Sequence, residues 1–274
     1  MPVISTNTAA NTAVRYLNQN AADESSSLAK IASGSRINRA SDDAAGLAIA
    51  AKISSDISSL QQASTNATEA VSVLQTADGG ASNISDILTR MKALASQSSS
   101  GTVTDTERTY LNDEFSQLLE EVDGTASGTR YNAVSLLDGT SNFSSGVSVL
   151  VGTDSSDTIS IKLANLSASN LGISSLDITS QTGAESALTT LDTAISSVSS
   201  ARASIGAQES RFEFRSSAIS STEENLSSAK SSITDVDVAS EQANLSSAEV
   251  KTQAAVAAAA QANQLPQYLL SLLK

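Results

Sequence analysis

The sequence predicts a mainly α-helical protein, a long antiparallel helical bundle or coiled coil with a small central β-hairpin region. Apolar residues recur at every seventh position over Ala184–Ile233, which places a narrow apolar seam along one side of a helix. Only two prolines occur, Pro2 and Pro266, so nothing between them forces a helix to stop. Apolar and polar residues alternate only within 147–163, as in β-strands.

The first helix is predicted over residues 3–33, where the apolar residues follow a helical spacing but have little bulk. Gly34 is its predicted C-cap, because glycine adopts the left-handed conformation that ends many helices. A connector follows over residues 34–43. Ser41, Asp42 and Asp43 are expected to cap the next helix. Asp42 and Asp43 could also be a metal pair. A metal pair is the weaker interpretation, since no further ligands lie nearby in the sequence.

The second helix is predicted to end near Gly101 and to be loosened locally at Gly79–Gly80. Thr104 and Glu107 have the spacing of a capping box, in which the two side chains satisfy each other's backbone N–H groups. They therefore predict the start of a third helix, which is expected to end at Gly124.

The next two elements are a β-hairpin and the long helix that carries the apolar seam. The hairpin is predicted from two alternating runs, Val147, Val149, Val151 and Ile159, Ile161, Leu163, joined by the turn-like segment Gly152–Asp157. The seam consists of Ala184, Leu191, Val198, Ile205, Phe212, Ile219, Leu226 and Ile233. Leu188 and Ile195 are expected to begin a second stripe. A helix of this length extends about 75 Å, so it needs other long helices beside it.

The composition argues against an enzyme. Cysteine and histidine are both absent, which removes thiolate nucleophiles, disulfides, imidazole bases and the commonest transition-metal ligands. Isolated serines and scattered carboxylates provide no nucleophile–base pair, so no catalytic residue, cofactor or metal is expected. The net charge of −13 disfavours nucleic acid as a partner. No apolar stretch is long enough for membrane insertion, and the N-terminus lacks the features of a secretory signal peptide.

Four motifs resemble the bacterial flagellin family. They are SGSRINRASDDAAGLAIA (Ser33–Ala50), TRYNAVSLLDG (Thr129–Gly139), RASIGAQESRFEF (Arg202–Phe214) and AQANQLPQYLLSLLK (Ala260–Lys274). Together they indicate a short flagellin without the large variable outer domains, and only residues 140–180 stand in the place of those domains.

The resemblance implies a structural subunit, secreted unfolded through the flagellar type III apparatus, that self-assembles into the extracellular filament used for swimming. It implies four segments. Residues 1–41 form the N-terminal inner-tube (D0) helix and connector, and residues 42–180 form the outer-tube (D1) helices and hairpin region. Residues 181–233 form the long C-terminal outer-tube helix, and residues 234–274 form the C-terminal inner-tube helix. The terminal helices are expected to order on assembly, because alone they would be marginal in water.

The apolar residues of the two terminal helices are the candidate self-assembly residues. They are Val14, Leu17, Leu28, Ile31, Leu245, Val256, Leu265 and Leu269. The resemblance also implies partners: further copies of the chain, alone or mixed with other flagellins, an export chaperone that covers residues 236–274, and hook-associated junction and cap proteins.

A second candidate surface resembles the patch by which the vertebrate Toll-like flagellin receptor recognises many flagellins. It consists of Arg90, Lys92, Leu94, Gln97 and Glu114. Assembly contact is the preferred interpretation of this surface, with receptor recognition as the alternative.

Two other proteins share features of the sequence. A hook–filament junction protein of the same family has similar termini, although its central motifs usually differ. A coiled-coil signalling module, such as a chemoreceptor hairpin, has a similar Ala- and Ser-rich composition but lacks a central β-hairpin.

Overall fold

A computed structural model of the chain describes residues 6–271, with side chains for residues 6–264. The described residues form five long helices and two small antiparallel sheets, which confirms the predicted fold class. The helices are α1 (Thr8–Ser33), α2 (Ala44–Ser98), α3 (Asp105–Gly128), α4 (Gln181–Thr234) and α5 (Val238–Ser271). The strands are β1 (Arg130–Tyr131), β2 (Val134–Ser135), β3 (Val147–Leu150) and β4 (Thr158–Ile161), and a 3-10 turn covers Asn142–Ser144.

The described residues divide into two compact units. The first comprises the residues up to Ser55 together with those from Asn225 onward, and the second runs from Asp56 to Glu224. Helices α1 and α5 therefore belong to the first unit. The two hairpins and α3 belong to the second, and α2 and α4 contribute to both.

In the first unit, α1 is capped at both ends by local side-chain and backbone groups. The Asn7 side chain accepts a hydrogen bond from the Ala10 N–H at 3.0 Å, which satisfies one of the unpaired donors of the first turn. Gly34 ends the helix with φ at 70°, and its N–H donates to the Ile31 carbonyl at 3.3 Å. The predicted glycine C-cap is confirmed.

The segments that follow α1 and α4 are joined by their backbones. The Arg36 N–H donates to the Thr234 carbonyl at 2.6 Å, and the Val236 N–H donates to the Gly34 carbonyl at 3.1 Å. We call this pairing the connector ladder. It is a single antiparallel bridge between Ser35 and Asp235, in which each segment satisfies backbone polar groups of the other.

The two neighbouring aspartates ahead of α2 have different roles. Asp43 accepts from the Gly46 N–H at 2.8 Å and caps α2, as predicted. Asp42 instead accepts from the N–H groups of Arg39 and Asn38, at 2.9 and 3.1 Å. These two bonds, that of Arg39 first, hold the pKa of Asp42 below its ordinary value. Asp42 therefore stabilises the turn that precedes α2 and not the helix itself.

The second unit is organised by two buried stripes on α4. The predicted seam from Ala184 to Ile219 is confirmed, because each of its six residues there is at most 3% exposed. The predicted second stripe is wrong, since Leu188 and Ile195 are only half-buried. The buried residues are Ala187, Ala194, Ala201 and Gln208. They lie three positions after the first stripe, and this spacing keeps both stripes on one side of the helix. Leu226 and Ile233, which belong to the first unit, are half-buried.

Within the second unit, α2 runs antiparallel to α4. Arg202 binds Asp78 through two hydrogen bonds of 2.8 and 3.2 Å, and the Gln61 amide donates to Glu223 at 2.8 Å. Most of the buried residues of α2 repeat at steps of three and four, as on α4. They are Leu60, Ala63, Ala67, Ala70, Leu74, Ala77, Ala81, Ile84, Leu88, Met91 and Ala95.

The two adjacent glycines of α2 do not interrupt the helix, which runs unbroken past them. Their surroundings differ. A Cβ on Gly79 would meet no atom within 4 Å, whereas a Cβ on Gly80 would lie 2.3 Å from Thr129 Oγ1 and 2.9 Å from Leu137 Cδ1. Gly80 thus allows close approach of the segment after α3, and Gly79 has no comparable role.

Helix α3 begins as predicted and ends later than predicted. The capping box is present, with the Glu107 N–H donating to Thr104 Oγ1 and the Thr104 N–H donating to Glu107. The helix continues past Gly124 to Gly128. Val122 and Ala126 are almost fully buried on either side of Gly124, and their packing extends the helix through a weak helix former.

The predicted hairpin is confirmed as the antiparallel pair β3–β4, with Val147 opposite Ile161 and Val149 opposite Ile159. A second, smaller hairpin joins β1 and β2 through Asn132 and Ala133, which have φ of 47° and 64°. Positive φ at both central residues is the geometry of a tight two-residue turn that matches strand twist.

Two polar side chains of α4 hold the larger hairpin. The Gln208 amide accepts from the Lys162 N–H at 2.9 Å and donates to the Lys162 carbonyl at 3.1 Å. Arg215 donates to the Val151 carbonyl at 2.9 Å and pairs with Asp157 at 3.3 Å. The hairpin therefore has backbone and charged contacts to α4 in addition to its apolar ones.

The seam predicts contrasting effects for two nearby phenylalanines. Phe212 is fully buried and Phe214 is 76% exposed. Phe212→Ala is expected to lower the unfolding free energy of the second unit by about 3–5 kcal/mol, through lost burial and a residual cavity. Phe214→Ala is the matched control, with an expected change below about 0.5 kcal/mol. Urea denaturation followed by circular dichroism measures both, and equal effects would contradict the assigned seam.

The two glycines of α2 predict effects of opposite sign. Gly79→Ala is expected to stabilise the second unit by about 0.5–1 kcal/mol, because alanine loses less backbone freedom on folding. Gly80→Ala is expected to destabilise it by about 1–3 kcal/mol, because the new methyl group overlaps Thr129. Thermal unfolding of the two variants side by side distinguishes these outcomes, and stabilisation by Gly80→Ala would refute the close approach.

Candidate assembly interface

The first candidate surface is the terminal pair, formed by α1 and α5 packed side by side in antiparallel orientation. The facing positions again alternate at steps of three and four, and most carry small or polar side chains. On α1 they are Ala10, Ala13, Leu17, Asn20, Glu24, Ser27 and Ile31, and on α5 they are Glu241, Leu245, Ala248, Thr252, Ala255, Ala259 and Ala262. Such a seam permits close approach but removes little apolar area from water.

Polar contacts set the register of the terminal pair. The Asn7 amide donates to the Ala262 carbonyl at 2.7 Å, near one end. Near the other end, Lys30 lies 3.9 Å from Glu241. The pKa of Glu241 is held below its ordinary value, chiefly by a hydrogen bond from Ser27 and further by Asn244 and the charge of Lys30, against the opposing effect of burial. The ionised form of Glu241 therefore stabilises this pairing.

The structure places the predicted self-assembly residues in two groups. Leu245 is buried between the two helices, and Leu17 and Ile31 are half-buried there, so these three side chains serve the pairing within one chain. Three others lie outside the seam on the surface, at 46%, 57% and 53% exposure: Val14, Leu28 and Val256. The side chains of Leu265 and Leu269 lie outside the described residues.

Val14 and Leu28 lie on the same stripe of α1, since they are separated by two heptads with Ala21 between them. Val250, also exposed, adds apolar area on α5. An exposed apolar stripe on a helix that already has one partner is typical of a surface that packs against further helices.

The second candidate surface, the predicted recognition patch, is divided by the fold. Arg90 binds Glu114 of α3 through two bonds of 2.9 and 2.6 Å, whereas Lys92 pairs with Asp192 of α4. The two cations thus contact helices on different sides of α2. Leu94 is 2% exposed, so its assignment to a surface patch is corrected: it packs in the core beneath the patch. Gln97 remains exposed.

Two polar residues with structural roles were missed by the sequence interpretation. Arg108 is 4% exposed and donates to the carbonyls of Ser100 and Val103, at 2.9 and 3.2 Å, which closes the turn between α2 and α3. Gln208 occupies a seam position and serves the hairpin. In both cases the available signal is a polar residue at a position where the helical period requires an apolar one.

The described residues offer little for chemistry. No group of three or more potential metal-ligating side chains occurs among residues 6–264. Within the same described part of the chain, no helix is long and apolar enough to cross a membrane.

Comparison with known proteins covers both ends of the chain and the middle. The family model described as the bacterial flagellin N-terminal helical region matches residues 4–142, and that of the C-terminal helical region matches residues 188–273. A flagellin of Halalkalibacterium halodurans is 39% identical, with 99% of this chain and 100% of that protein covered. The flagellar filament 30.7 kDa core protein of Treponema maltophilum is 36% identical, with 99% of each covered.

A solved structure agrees with these matches. The crystal structure of Bacillus cereus flagellin is 31% identical to this chain, with a TM-score of 0.52, and covers 61% of this chain and 94% of that one. Family models match most of the chain, and the relatives are covered over their full lengths. The chain belongs to the bacterial flagellin family.

Proposed function

We propose that this chain is a structural subunit that self-assembles into the helical filament of the bacterial flagellum, outside the cell. The family consists of structural filament proteins and not of enzymes. The relative from Treponema maltophilum is named a flagellar filament core protein and is covered over 99% of its length. Full-length similarity of this kind favours a filament subunit over a junction protein or a signalling module.

The observation that carries the proposal is the apolar surface of the terminal pair. Val14, Leu28, Val250 and Val256 are all at least 46% exposed, although α1 and α5 already cover each other along one face. A two-helix layer cannot enclose side chains on its outer faces, whereas neighbouring copies of the same pair can. Assembly would remove this surface from water, and the gain grows with each added subunit.

The proposed architecture follows the predicted segments. Residues 1–41 and 234–274 supply the inner tube, and residues 42–180 and 181–233 supply the outer tube. Thrust requires a long, stiff and supercoiled tube, in which subunits adopt slightly different packings. The connectors at 34–43 and 233–236 and the hairpin are the proposed places of this adjustment.

Export and assembly define the other proposed partners. The chain is proposed to leave the cell through the flagellar type III apparatus, and a chaperone is proposed to cover residues 236–274 until then. In the filament, the proposed partners are further copies, other flagellins, and the hook-associated junction and cap proteins.

We propose assembly contact as the main role of the recognition patch. The guanidinium group of Arg90 is already bound to Glu114, so a receptor would have to compete with Glu114 for it. Leu94 is buried, so a receptor could not reach it. Receptor recognition remains the alternative, and titration of the monomer with the receptor ectodomain separates the two interpretations.

The terminal pair predicts that assembly depends on its exposed apolar residues. Leu28→Gln and Val256→Gln are each expected to raise the critical concentration for polymerisation by about tenfold, because each leaves a polar group in an apolar contact. The chain is nucleated in a kosmotropic salt such as ammonium sulfate, and polymer is quantified by sedimentation and imaged by electron microscopy.

Gln19→Asn is the matched control for these two variants, since Gln19 is an exposed polar residue of the same helix pair. Its critical concentration is expected to stay within about twofold of the unmodified chain. Failure of the unmodified chain to form long filaments would refute the proposed function, and equal behaviour of all variants would refute the assigned surface.

The ionisation of Glu241 predicts a pH dependence. Because its pKa is lower in the folded chain, its contribution is fully present above the unfolded value, about 4.5, and is lost as the pH falls through the folded value. Glu241→Gln is expected to weaken the terminal pair at pH 7 and to differ less from the unmodified chain at pH 3. Hydrogen exchange of α1 and α5 at both values measures this difference, and an effect that is unchanged by acid would contradict it.

A further inference from the structure

An apolar groove lies between α2 and the two hairpins of the second unit. Its volume is about 420 Å³, and its rim includes Tyr131, Val134 and Leu150, which are 36%, 44% and 40% exposed. Phe143 lines it as well. We call it the hairpin groove. Exposed apolar side chains gathered around one concave surface are typical of a protein-binding site.

The charged residue on the rim of the hairpin groove is Glu69. It is exposed, and among the described residues no hydrogen bond or ion pair involves it. The groove thus combines an apolar floor with one uncompensated negative charge, and a complementary partner would present an apolar side chain beside a cation.

The matching surface is on α4 of the same chain. Phe214 is 76% exposed, which is the largest exposure among the large apolar side chains described. Arg211 lies one turn before it on the same side of the helix and is exposed. Within the described residues it has no hydrogen bond or ion pair, unlike Arg215, which is held by Val151 and Asp157. Phe214 with Arg211 is named the α4 knob.

The α4 knob cannot be filling the groove of its own chain. Phe214 is largely exposed and Arg211 lines a separate depression of about 490 Å³, together with Ile159 and Thr158 of β4. The hairpin groove is lined by α2 and by residues of both hairpins, and the two depressions share no residue. A contact between knob and groove therefore requires two molecules.

We propose that the α4 knob of one subunit inserts into the hairpin groove of the next, with Phe214 against Leu150 and Val134 and with Arg211 facing Glu69. The proposal rests on the proposed function and assigns one contact of that polymer. Because the two surfaces differ, the interface is heterologous, and a pair of subunits joined in this way still has one free groove and one free knob. Such contacts propagate into open helical assemblies when the rotation between subunits does not close a ring.

Charge reversal tests the contact directly. Arg211→Glu and Glu69→Arg are each expected to raise the critical concentration by about tenfold or more, because two like charges then face each other. The chain that carries both changes is expected to return to within about threefold of the unmodified chain. Tyr110→Ser is the control, since Tyr110 is 68% exposed but lies on α3, outside both surfaces, and no change is expected.

Disulfide capture provides an independent readout, because the chain has no cysteine of its own. In the assembled polymer, oxidation of the chain with both Leu150→Cys and Phe214→Cys is expected to give a ladder of covalent oligomers on a denaturing gel. Each single cysteine variant is expected to run as a monomer on the same denaturing gel, since a heterologous contact does not bring identical residues together.

The outcomes separate the inference from the proposed function. If the unmodified chain forms no filaments, the proposed function fails. If filaments form but the double cysteine variant gives no ladder, the knob-in-groove contact is wrong. It is also wrong if the critical concentration of the doubly charge-reversed chain is no lower than that of the two single charge variants. Covalent dimers from Phe214→Cys alone would indicate a symmetric interface and would also overturn it.

Discussion

The fold depends on one geometric constraint: helices packed along their whole length must bury a residue at alternating steps of three and four. Helix α4 satisfies this from Ala184 to Ile219. The terminal pair satisfies it from Ala10 to Ile31 on α1 and from Glu241 to Ala262 on α5, mostly with smaller side chains. The amount of apolar area at these positions differs between the two units. In the second unit the seam encloses large side chains such as Phe212 and Phe115, whereas the terminal pair depends on alanines and on hydrogen bonds.

This difference explains how one chain combines a well-packed second unit with a terminal pair suited to assembly. Hydrophobic stabilisation scales with the apolar area removed from water. Most of the large buried apolar side chains of a single molecule lie in the second unit. Several apolar residues of the terminal pair, Val14, Leu28, Val250 and Val256, lie on its outer faces, where a single molecule leaves them in water. The proposed polymer would bury this exposed apolar surface. The polar contacts of Glu241 with Lys30 and Ser27 set which faces of α1 and α5 meet, and therefore which faces point outward.

The sequence predicted those features that local chemistry determines. The Gly34 cap, the Thr104–Glu107 capping box and the seam through Phe212 each depend on residues within a few turns. The predicted second stripe of α4, at Leu188 and Ile195, is wrong because the buried positions are those of Ala187 and Ala194, whose small side chains give little apolar signal.

Features that depend on distant residues were not predictable in this way. Gly79 and Gly80 differ only in their distance from Thr129, about fifty positions away, and Leu94 differs from its neighbours in the patch only by burial. The anchoring of the hairpin by Gln208 and Arg215 is equally non-local. Among the predicted self-assembly residues, the heptad pattern did not distinguish Leu245, which is buried between α1 and α5, from Leu28 on the outer face.

The connector ladder has a mechanical consequence. Its hydrogen bonds link the backbone that leaves α1 to the backbone that enters α5, so the two polypeptide directions are stapled side by side at Gly34–Arg36 and Thr234–Val236. A pull along either terminal helix is then divided between two covalent strands, and the cross-links are strained together and not one after another.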